Sequence, residues 1–546
     1  MAMAYNFPAM IHRIDSNLIA LDACRLLGLE HIRSDLALEA FTKDGDNADE
    51  GDVEEINFQG GMGNNYERLE FLGDCFLKMA TTISIFTLIP DKGEHEYHVE
   101  RMLLLCNQNL FNNALKVKLE EYVRSMAFNR RTWYPEGLNL VKGKRVDTSK
   151  WRHRLADKSI ADVCEAIIGA AYLTTRERNN FDMAIQAVTA LVKDKNHTMA
   201  TYSDYYAAYK KPDWQTEPAT VVQKHMAERL HQRIGYRFKY PRLLRSAFQH
   251  PTYPTSYEGL PSYQRLEFLG DALFDMACID YLFHRFPGAD PQWLTEHKMA
   301  MVTNQFLGCL GFSLGFHRSI LSHSAAVQKE LADYVVEMED ALQAAKDEAV
   351  KAGGTETDFR RNFWLNCSRP PKSLPDVVEA YIGAMFVDSE YDYSTVQSFF
   401  ENHVKPWFED MRLYDTFANK HPTTFLGRLM QGKFQCRDWR VLVRESGLAA
   451  NGDDTVSSLG AAATRIRMEQ LVGGVLVHGG VIASSMSTSA RYAKQAVSKK
   501  AIALLEHMNV GEFKEKYGCS CTKKEEDVVM AVDPKADSME AHGPAI

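Results

Sequence analysis

The chain has 546 residues, of which 45% are hydrophobic and 25% are charged, a composition typical of soluble globular proteins and sufficient for three or four domains. Its net charge of −9 argues against a general coat of nucleic acid, although a local basic patch would still bind a phosphate backbone. No apolar run approaches a membrane span of about 18 residues and the N-terminus lacks a signal peptide, so we expect no membrane association.

Cysteine usage indicates the compartment. The ten cysteines are scattered, and most lie within apolar helical patterns. This is typical of small buried side chains in a reducing environment and not of a disulfide framework. We therefore expect an intracellular protein, in either the cytoplasm or the nucleus.

The chain begins with helical periodicity over residues 9–42 and an acidic, glycine-containing segment, 43–65, that predicts an exposed loop. The stretch that follows decides the interpretation: Tyr66-Glu67-Arg68-Leu69-Glu70-Phe71-Leu72-Gly73-Asp74. It predicts a helix that continues through an apolar segment and ends before Pro90.

Glu70 and Asp74 lie one helical turn apart and therefore share a face. Two like charges on one face lower stability unless a cation lies between them, and hard oxygen ligands suit Mg²⁺. The alternative is a helix with two ordinary surface acids.

A helix is predicted over roughly residues 96–119. A basic, aromatic segment, 124–150, follows it and is either a connecting loop or a phosphate contact.

A further apolar helix carries Asp162 and Glu165, three residues apart and again on one face. Its small residues permit close packing against another helix.

The decisive stretch occurs twice. Tyr263-Gln264-Arg265-Leu266-Glu267-Phe268-Leu269-Gly270-Asp271 matches the first copy at eight of nine positions, 197 residues later. Asp376 and Glu379 then repeat the second acidic pair on another apolar helix. Such duplication makes ordinary surface acids a poor explanation and indicates two copies of one module.

We name residues 9–194 module a and residues 221–411 module b, joined by a linker over 195–220. Both modules are predicted to be entirely helical, with a charged insertion, 325–362, that predicts an amphipathic helix in module b. We find no convincing strand before residue 434.

The pattern changes in the C-terminal region, 412–521. A helical stretch precedes three runs typical of strands, at Trp439–Arg444, Arg465–Val472 and Gly474–His478, the last running on toward Ile482, and a basic helix follows. The order α-β-β-β-α predicts a small α+β domain. Residues 522–546 are polar and predict a disordered tail.

Together the two motifs resemble those of the ribonuclease III family. Two such modules followed by an α-β-β-β-α domain resemble the C-terminal half of a fungal-type Dicer, over nearly all of residues 9–510. The resemblance implies a mostly α protein in which two ribonuclease III domains pair as an intramolecular pseudo-dimer, so that the chain acts as a monomer. It also implies a double-stranded-RNA-binding domain after them.

The implied activity is endonucleolytic cleavage of double-stranded RNA, one strand per module, with two Mg²⁺ or Mn²⁺ ions in each site. The products would be short duplexes with 5′-phosphate and 3′-hydroxyl ends and two-nucleotide 3′ overhangs. They would serve RNA silencing and antiviral defence, with Argonaute or double-stranded-RNA-binding proteins as partners. The residues implied to act are the metal-binding carboxylates Glu70, Asp74, Asp162, Glu165, Glu267, Asp271, Asp376 and Glu379, and the lysines Lys158 and Lys372.

The resemblance also assigns residues in the C-terminal region. The RNA-binding helix would offer Arg491, Lys494, Lys499 and Lys500, in a region, 412–510, that holds 13 Lys and Arg against 7 Asp and Glu. Ala490-Arg491 stands where two lysines are usual, so a solvated basic face is the alternative. A structural Zn²⁺ site would use Cys436, His478, Cys519 and Cys521; the alternative is unrelated thiols and a surface histidine.

A function from another class competes with the nuclease: a non-catalytic RNA-binding or ribosome-associated protein on the same fold. The eight carboxylates argue against it, because such a protein has no need of them. Helicase and PAZ-like regions are not recognisable upstream of residue 9, so we expect either a piece of a longer Dicer or a partner that measures product length.

Overall fold

The structure, a computed structural model, describes residues 2–43, 64–90, 92–125, 155–178, 180–415, 422–445, 471–487, 490–519 and 521. The chain forms two compact units, residues 1–414 and 415–546. Most of the expected loop at 43–65, most of the basic segment 124–150 and the tail 522–546 lie outside the described residues.

The first unit is helical, as predicted. Module a and the linker contain α1 (Ala2–Leu26), α2 (Ser34–Ala40), α3 (Glu67–Leu88), α4 (Glu94–Leu105), α5 (Asn107–Lys116), α6 (Asp157–Thr175), α7 (Asp182–Val192), α8 (Ser203–Ala208) and α9 (Asp213–Thr216). Module b contains α10 (Val221–Ile234), α11 (Pro241–Ala247), α12 (Thr255–Glu258), α13 (Gln264–Arg285), α14 (Pro291–Met301), α15 (Asn304–Ser313), α16 (Ala325–Lys351), α17 (Ser373–Asp388) and α18 (Tyr393–Phe399).

Each decisive stretch opens the central helix of its module. The first copy begins α3 and the second begins α13, and most side chains of both helices are buried. Among the described residues α3 is the one helix long and apolar enough to span a membrane, but 78% of its apolar window is buried inside the protein. It is therefore the core helix of a folded module.

The acidic helices cross at glycines. Gly73 of α3 lies against α6 so closely that a Cβ atom there would be 1.8 Å from the carbonyl oxygen of Glu165. Gly270 of α13 repeats the contact, with a Cβ 1.8 Å from the carbonyl oxygen of Glu379. Because no side chain separates the backbones, both acidic pairs of each module come to the same crossing.

The two modules pair through α3 and α13, as the resemblance implied. The arginine of each decisive stretch contacts the other module in the same way. Arg68 lies 4.6 Å from the ring centre of Phe283, and Arg265 lies 5.0 Å from that of Phe86. These cation–π contacts relate the modules by a pseudo-two-fold axis.

The helix predicted over residues 96–119 is wrong as a single element. Cys106 is extended, with φ −64° and ψ 138°, and separates α4 from α5. The side-chain amide of Asn109 donates to the carbonyl of Leu104 at 3.2 Å, and that of Asn113 donates to Val192 at 2.7 Å. Asparagine side chains that bind backbone groups in this way compete with the regular helix.

The linker is an ordered part of the first unit. Tyr205 is fully buried, and its hydroxyl lies 2.8 Å from Nε2 of His197. Tyr209 stacks on Phe86 of module a and packs against Tyr391 of module b. The linker therefore contributes aromatic packing to both modules.

The second unit has the predicted α-β-β-β-α order. Its elements are α19 (Pro422–Arg428), β1 (Trp439–Glu445), β2 (Leu471–Val477), β3 (Gly480–Ser487), α20 (Ala490–Leu505) and α21 (Val510–Tyr517), of which the last was not predicted. The strands form an antiparallel sheet in the order β1-β2-β3. Helix α20 packs on β2 and β3.

The predicted bounds of the second and third strands are wrong. Gly473 and Gly474 lie inside β2 instead of ending it, and Gly473 allows close approach of α20. The hairpin turn is at His478 and Gly479, whose φ angles are 49° and 77°. A tight two-residue hairpin needs two residues in the left-handed region, and His478 and Gly479 supply them.

We expect Gly270→Ala to destabilise the first unit by more than about 3 kcal/mol, because its methyl group would overlap backbone that cannot move without separating α13 from α17. Thermal unfolding measures the effect. Gly288→Ala is the control, since a Cβ at that exposed position meets nothing within 4 Å. Equal melting temperatures for the two variants would contradict the close crossing.

Candidate active sites and metal centres

Three carboxylates meet in module a. Glu70 comes from α3, and Asp162 and Glu165 come from α6. One oxygen from each lies within 4.8 Å of the others, and Asp162 and Glu165 are only 6% and 7% exposed. We call this group acidic site a.

Module b repeats the arrangement. Glu267 of α13 lies with Asp376 and Glu379 of α17, again with ligand oxygens within 4.8 Å, and we call this group acidic site b. The buried Oε2 atom of Glu267 has no hydrogen-bond partner among the described residues. A buried, unpaired carboxylate oxygen among other carboxylates is where a cation would bind.

The fourth predicted carboxylate of each site lies apart from the other three. Asp74 is exposed and does not join acidic site a within the same distance. Asp271 instead binds Lys78 of module a at 3.0 Å and lies 3.9 Å from Arg101. Each of these aspartates still lies near the last glutamate of its site, where its charge raises the pKa of Glu165 or Glu379.

Burial and mutual repulsion make both sites hold protons. Burial, followed by the charges of neighbouring acids, raises the pKa of Glu70 to about 7, of Glu267 to about 8 and of Glu165 to about 9. The same causes raise the pKa of Glu379 well above its usual value. A divalent cation would compete with these protons for the carboxylate oxygens, because it offsets the repulsion among the acids, and such oxygens are the ligands that Mg²⁺ or Mn²⁺ prefers.

The predicted lysines lie at the rim of the sites. Nζ of Lys158 is 3.8 Å from Asp162, and Nζ of Lys372 is 3.1 Å from Asp376 and 3.6 Å from Glu267. Both side chains are more than 70% exposed, so a phosphate approaching the acids would meet them.

Sequence reasoning missed the tyrosines that open both decisive stretches. The hydroxyl of Tyr263 donates to Oδ2 of Asp376 at 3.0 Å, and the equivalent Tyr66 lies beside Asp162, where it lowers the pKa of that carboxyl. Hydrogen bonds of this kind orient a metal ligand. Their repetition at the first position of both copies was the available signal.

A third group of metal-binding side chains lies in the second unit. Cys436, His478, Cys519 and Cys521 place their ligand atoms within 4.8 Å of one another. Nε2 of His478 is 3.5 Å from Sγ of Cys436 and 3.8 Å from Sγ of Cys521. Tetrahedral zinc with ordinary bond lengths separates its ligands by about 3.6–3.8 Å, so these side chains fit that ion.

The histidine of this group is oriented by a carboxylate. Nδ1 of His478 lies 3.4 Å from Oδ2 of Asp438, which leaves Nε2 directed at the cysteines. His478 itself occupies the left-handed turn between β2 and β3, and Gln435, before Cys436, has φ 55°. Non-glycine residues hold such angles only where their surroundings enforce them.

The predicted RNA-binding residues lie on α20. Lys499 and Lys500 are exposed and Lys494 is half-buried, while the side chain of Arg491 is outside the described part of the chain. Nζ of Lys500 donates to the carbonyl of Ser484 at 3.1 Å, so this lysine also ties α20 to β3. An RNA-binding role for the four residues stays a prediction.

Both modules and the second unit match known protein families. Residues 67–176 and 264–390 each match the model of the ribonuclease III domain, and residues 414–507 match a dsRNA binding domain model. The chain is 64% identical over 541 residues to Dicer-like protein 1 of Chaetomium globosum, covering 96% of this chain and 33% of the relative. It is 61% identical over 556 residues to Dicer-like protein 1 of Neurospora crassa, covering 100% of this chain and 35% of the relative.

The chain therefore spans about a third of the length of these curated relatives. Among solved structures, the Dicer of Giardia intestinalis matches with 13% identity and a TM-score of 0.36, covering 63% of this chain and 55% of that one.

The raised pKa values predict how stability depends on pH in magnesium-free buffer. The pKa values of Glu165 and Glu267, about 9 and about 8, exceed the usual glutamate value of 4.5, so the native state binds their protons more tightly than the unfolded chain does. This contribution to stability is present at acid pH and is lost as pH rises through the folded pKa values. We expect the melting temperature to fall between pH 7 and pH 9.

Adding Mg²⁺ should remove most of this fall, because the cation replaces the protons. Glu165→Gln should flatten the pH dependence and weaken the response to Mg²⁺. Calorimetry at pH 7, 8 and 9 measures both. A melting temperature that rises over this range without magnesium would show that the acids do not repel one another in the native state.

Proposed function

The chain belongs to the ribonuclease III family of endoribonucleases, and on that basis we propose that it cuts both strands of double-stranded RNA, one at each acidic site. The observation that carries the proposal is the duplication of a buried acidic site, with three carboxylates and a single lysine at its rim, on two modules that face each other. One duplex presents two strands, and two sites related by a pseudo-two-fold axis match that symmetry.

We propose that Glu70, Asp162 and Glu165 hold one Mg²⁺ in site a and that Glu267, Asp376 and Glu379 hold one in site b. Asp74 and Asp271, each beside the last glutamate of its site, would complete a second metal position. When bound, a metal pair supplies an activated water and stabilises the departing 3′ oxygen of the cleaved strand.

The chain's own residues prepare the site for the substrate. Tyr263 holds the carboxylate of Asp376 in place through its hydrogen bond, and the exposed ammonium of Lys372 lies where it can bind the phosphate beside the acids. Tyr66 and Lys158 would do the same in module a. The products would then carry 5′-phosphate and 3′-hydroxyl ends with two-nucleotide 3′ overhangs.

The wider role extends the same proposal. The relatives that cover the chain are Dicer-like proteins, and the matched dsRNA binding domain supports duplex RNA as the ligand of the second unit. We propose that the short duplexes serve RNA silencing inside the cell and pass to Argonaute or other RNA-binding partners.

Equivalent substitutions in the two modules test the assignment of one strand to each site. Asp162→Asn should reduce cutting of one strand, and Asp376→Asn cutting of the other. Each loss should exceed about 100-fold, the upper end of what outer partners of a metal site contribute. A long duplex labelled differently on its two strands, incubated with Mg²⁺ and separated on a denaturing gel, measures both cuts.

Glu67→Gln is the matched control, because it converts the first copy of the decisive stretch into the second, and it should leave both cuts intact. If either single variant stopped both cuts, the sites would not act independently. If the unmodified chain bound the duplex but failed to cut it with Mg²⁺ or Mn²⁺, the non-catalytic alternative would hold.

We further propose that Cys436, His478, Cys519 and Cys521 bind one structural Zn²⁺ that fixes α21 and the following residues to the sheet. Four nitrogen and sulfur ligands with no position left for water form a closed, structural site. The four ligands would join three segments of the second unit: Cys436 precedes β1, His478 lies in the turn after β2, and Cys519 and Cys521 follow α21.

Elemental analysis of the purified protein tests this proposal. We expect about one zinc per chain and its loss in Cys519→Ser, with a lower melting temperature of the second unit. Cys106→Ser is the control, since that thiol lies in the first unit outside the metal-binding group. Purified protein that contains no zinc, or zinc-loaded protein that unfolds at the same temperature as Cys519→Ser, would rule the site out.

A further inference from the structure

One ion pair joins two residues that are equivalent in the two modules. Lys78 of α3 and Asp275 of α13 occupy the same position, 197 residues apart, and Nζ of Lys78 lies 3.0 Å from Oδ2 of Asp275. A residue that contacts its own equivalent lies beside the axis that relates the modules. The charge at the pseudo-two-fold axis is therefore positive in module a and negative in module b.

The cation–π contacts across the interface do not distinguish the modules. Arg68 stacks on Phe283 as its equivalent Arg265 stacks on Phe86. Two copies of module a, or two of module b, would offer each other the same arginine and the same phenylalanine. These contacts stabilise pairing without selecting the partner.

The axis pair does distinguish them. If two copies of module a were paired, Lys78 would meet Lys78, and in a pair of module b copies Asp275 would meet Asp275. The two side chains are only 23% and 7% exposed, so solvent would screen little of the repulsion. Like charges at a buried position oppose association more strongly than opposite charges favour it.

A second, off-axis contact has the same property. Asp280 of module b accepts hydrogen bonds from Tyr172 at 2.8 Å and from Arg176 at 2.6 Å, both on module a. The equivalent of Asp280 in module a is Ile83, and the equivalents of Tyr172 and Arg176 in module b are Phe386 and Glu390.

A pair of module b copies would therefore place Asp280 beside a phenylalanine and a glutamate, and a pair of module a copies would place Arg176 beside an isoleucine. Both pairings leave a charged group without its partner at the interface.

We propose that the Lys78–Asp275 and Arg176–Asp280 contacts select the pairing of module a with module b and exclude pairing between like modules. The surface that α3 and α13 present is thus specific for a module of opposite charge at the axis. This specificity would keep separate copies of the chain from associating through like modules, although like modules offer each other the same arginine and phenylalanine.

Charge reversals at the axis test the proposal in the full chain. Lys78→Asp gives module a the residue of module b, and Asp275→Lys does the converse, so each single variant creates the like-charge axis of a homotypic pair. We expect each to lower the melting temperature of the first unit by on the order of 5 °C.

The double variant Lys78→Asp/Asp275→Lys should regain most of that loss. The pseudo-symmetry supplies the exchanged charges with partners: a lysine at position 275 would face Asp74 as Lys78 faces Asp271, and an aspartate at position 78 would face Arg101 as Asp275 faces Lys298. Lys224→Asp, a reversal on the exposed surface of α10, is the control and should change little.

Light scattering during size-exclusion chromatography tests selectivity directly. In a mixture of the Lys78→Asp chain with the Asp275→Lys chain, every pairing between chains is opposite in charge and every pairing within a chain is alike. We expect a species of twice the chain mass in the mixture and not in either variant alone. A double variant no more stable than the weaker single variant, or a mixture that contains no such species, would overturn the proposal.

Discussion

The structure of both sites depends on the absence of side chains at the helix crossings. Gly73 and Gly270 bring the backbone of one acidic helix against the carbonyl group of Glu165 or Glu379 on the next. At this separation a carboxylate from the first helix reaches the two carboxylates of the second. A larger residue would move the helices apart by roughly the thickness of a methyl group, and three oxygens within 4.8 Å could no longer be maintained.

In the absence of metal, this close approach of carboxylates lowers the stability of the folded state. Burial, and after it the charges of neighbouring acids, raises the pKa values of Glu70, Glu165 and Glu267, so these carboxylates take up protons. Apolar packing around α3 and α13 has to offset that cost. The arrangement is a pre-formed cation site, since the metal finds ligands already gathered and does not have to order them.

Much of this arrangement was predictable from the sequence. The periodicity of α3, α6, α13 and α17 gave their type, and the repeated acidic pairs gave the residues that meet. The small residues of α6 predicted close packing against another helix, and Gly169 indeed lies against the backbone of Leu69 and Gly73. Which helix would be the partner, and that Gly73 and Gly270 would form the crossings, was not visible, because contacts between distant segments leave no local pattern.

The failures of prediction have the same origin. The break at Cys106 arises from asparagine side chains that bind backbone of α4 and α7, and the turn at His478 from two left-handed residues. Asp271 lies apart from the other acids of its site because it binds Lys78, which belongs to the other module and is distant along the chain. Spacing along the chain carries no information on such contacts.

The same two helices serve the sites and the interface, so the two functions share residues. Lys78 contacts both Asp275 at the axis and Asp271 beside acidic site b, each at 3.0 Å. Arg101 of module a also approaches Asp271, and its equivalent Lys298 of module b lies near Asp74. Each site thus has a cation from the other module beside its fourth carboxylate. A module without its partner would keep its three gathered acids and lose that cation, so pairing determines the charge of the site.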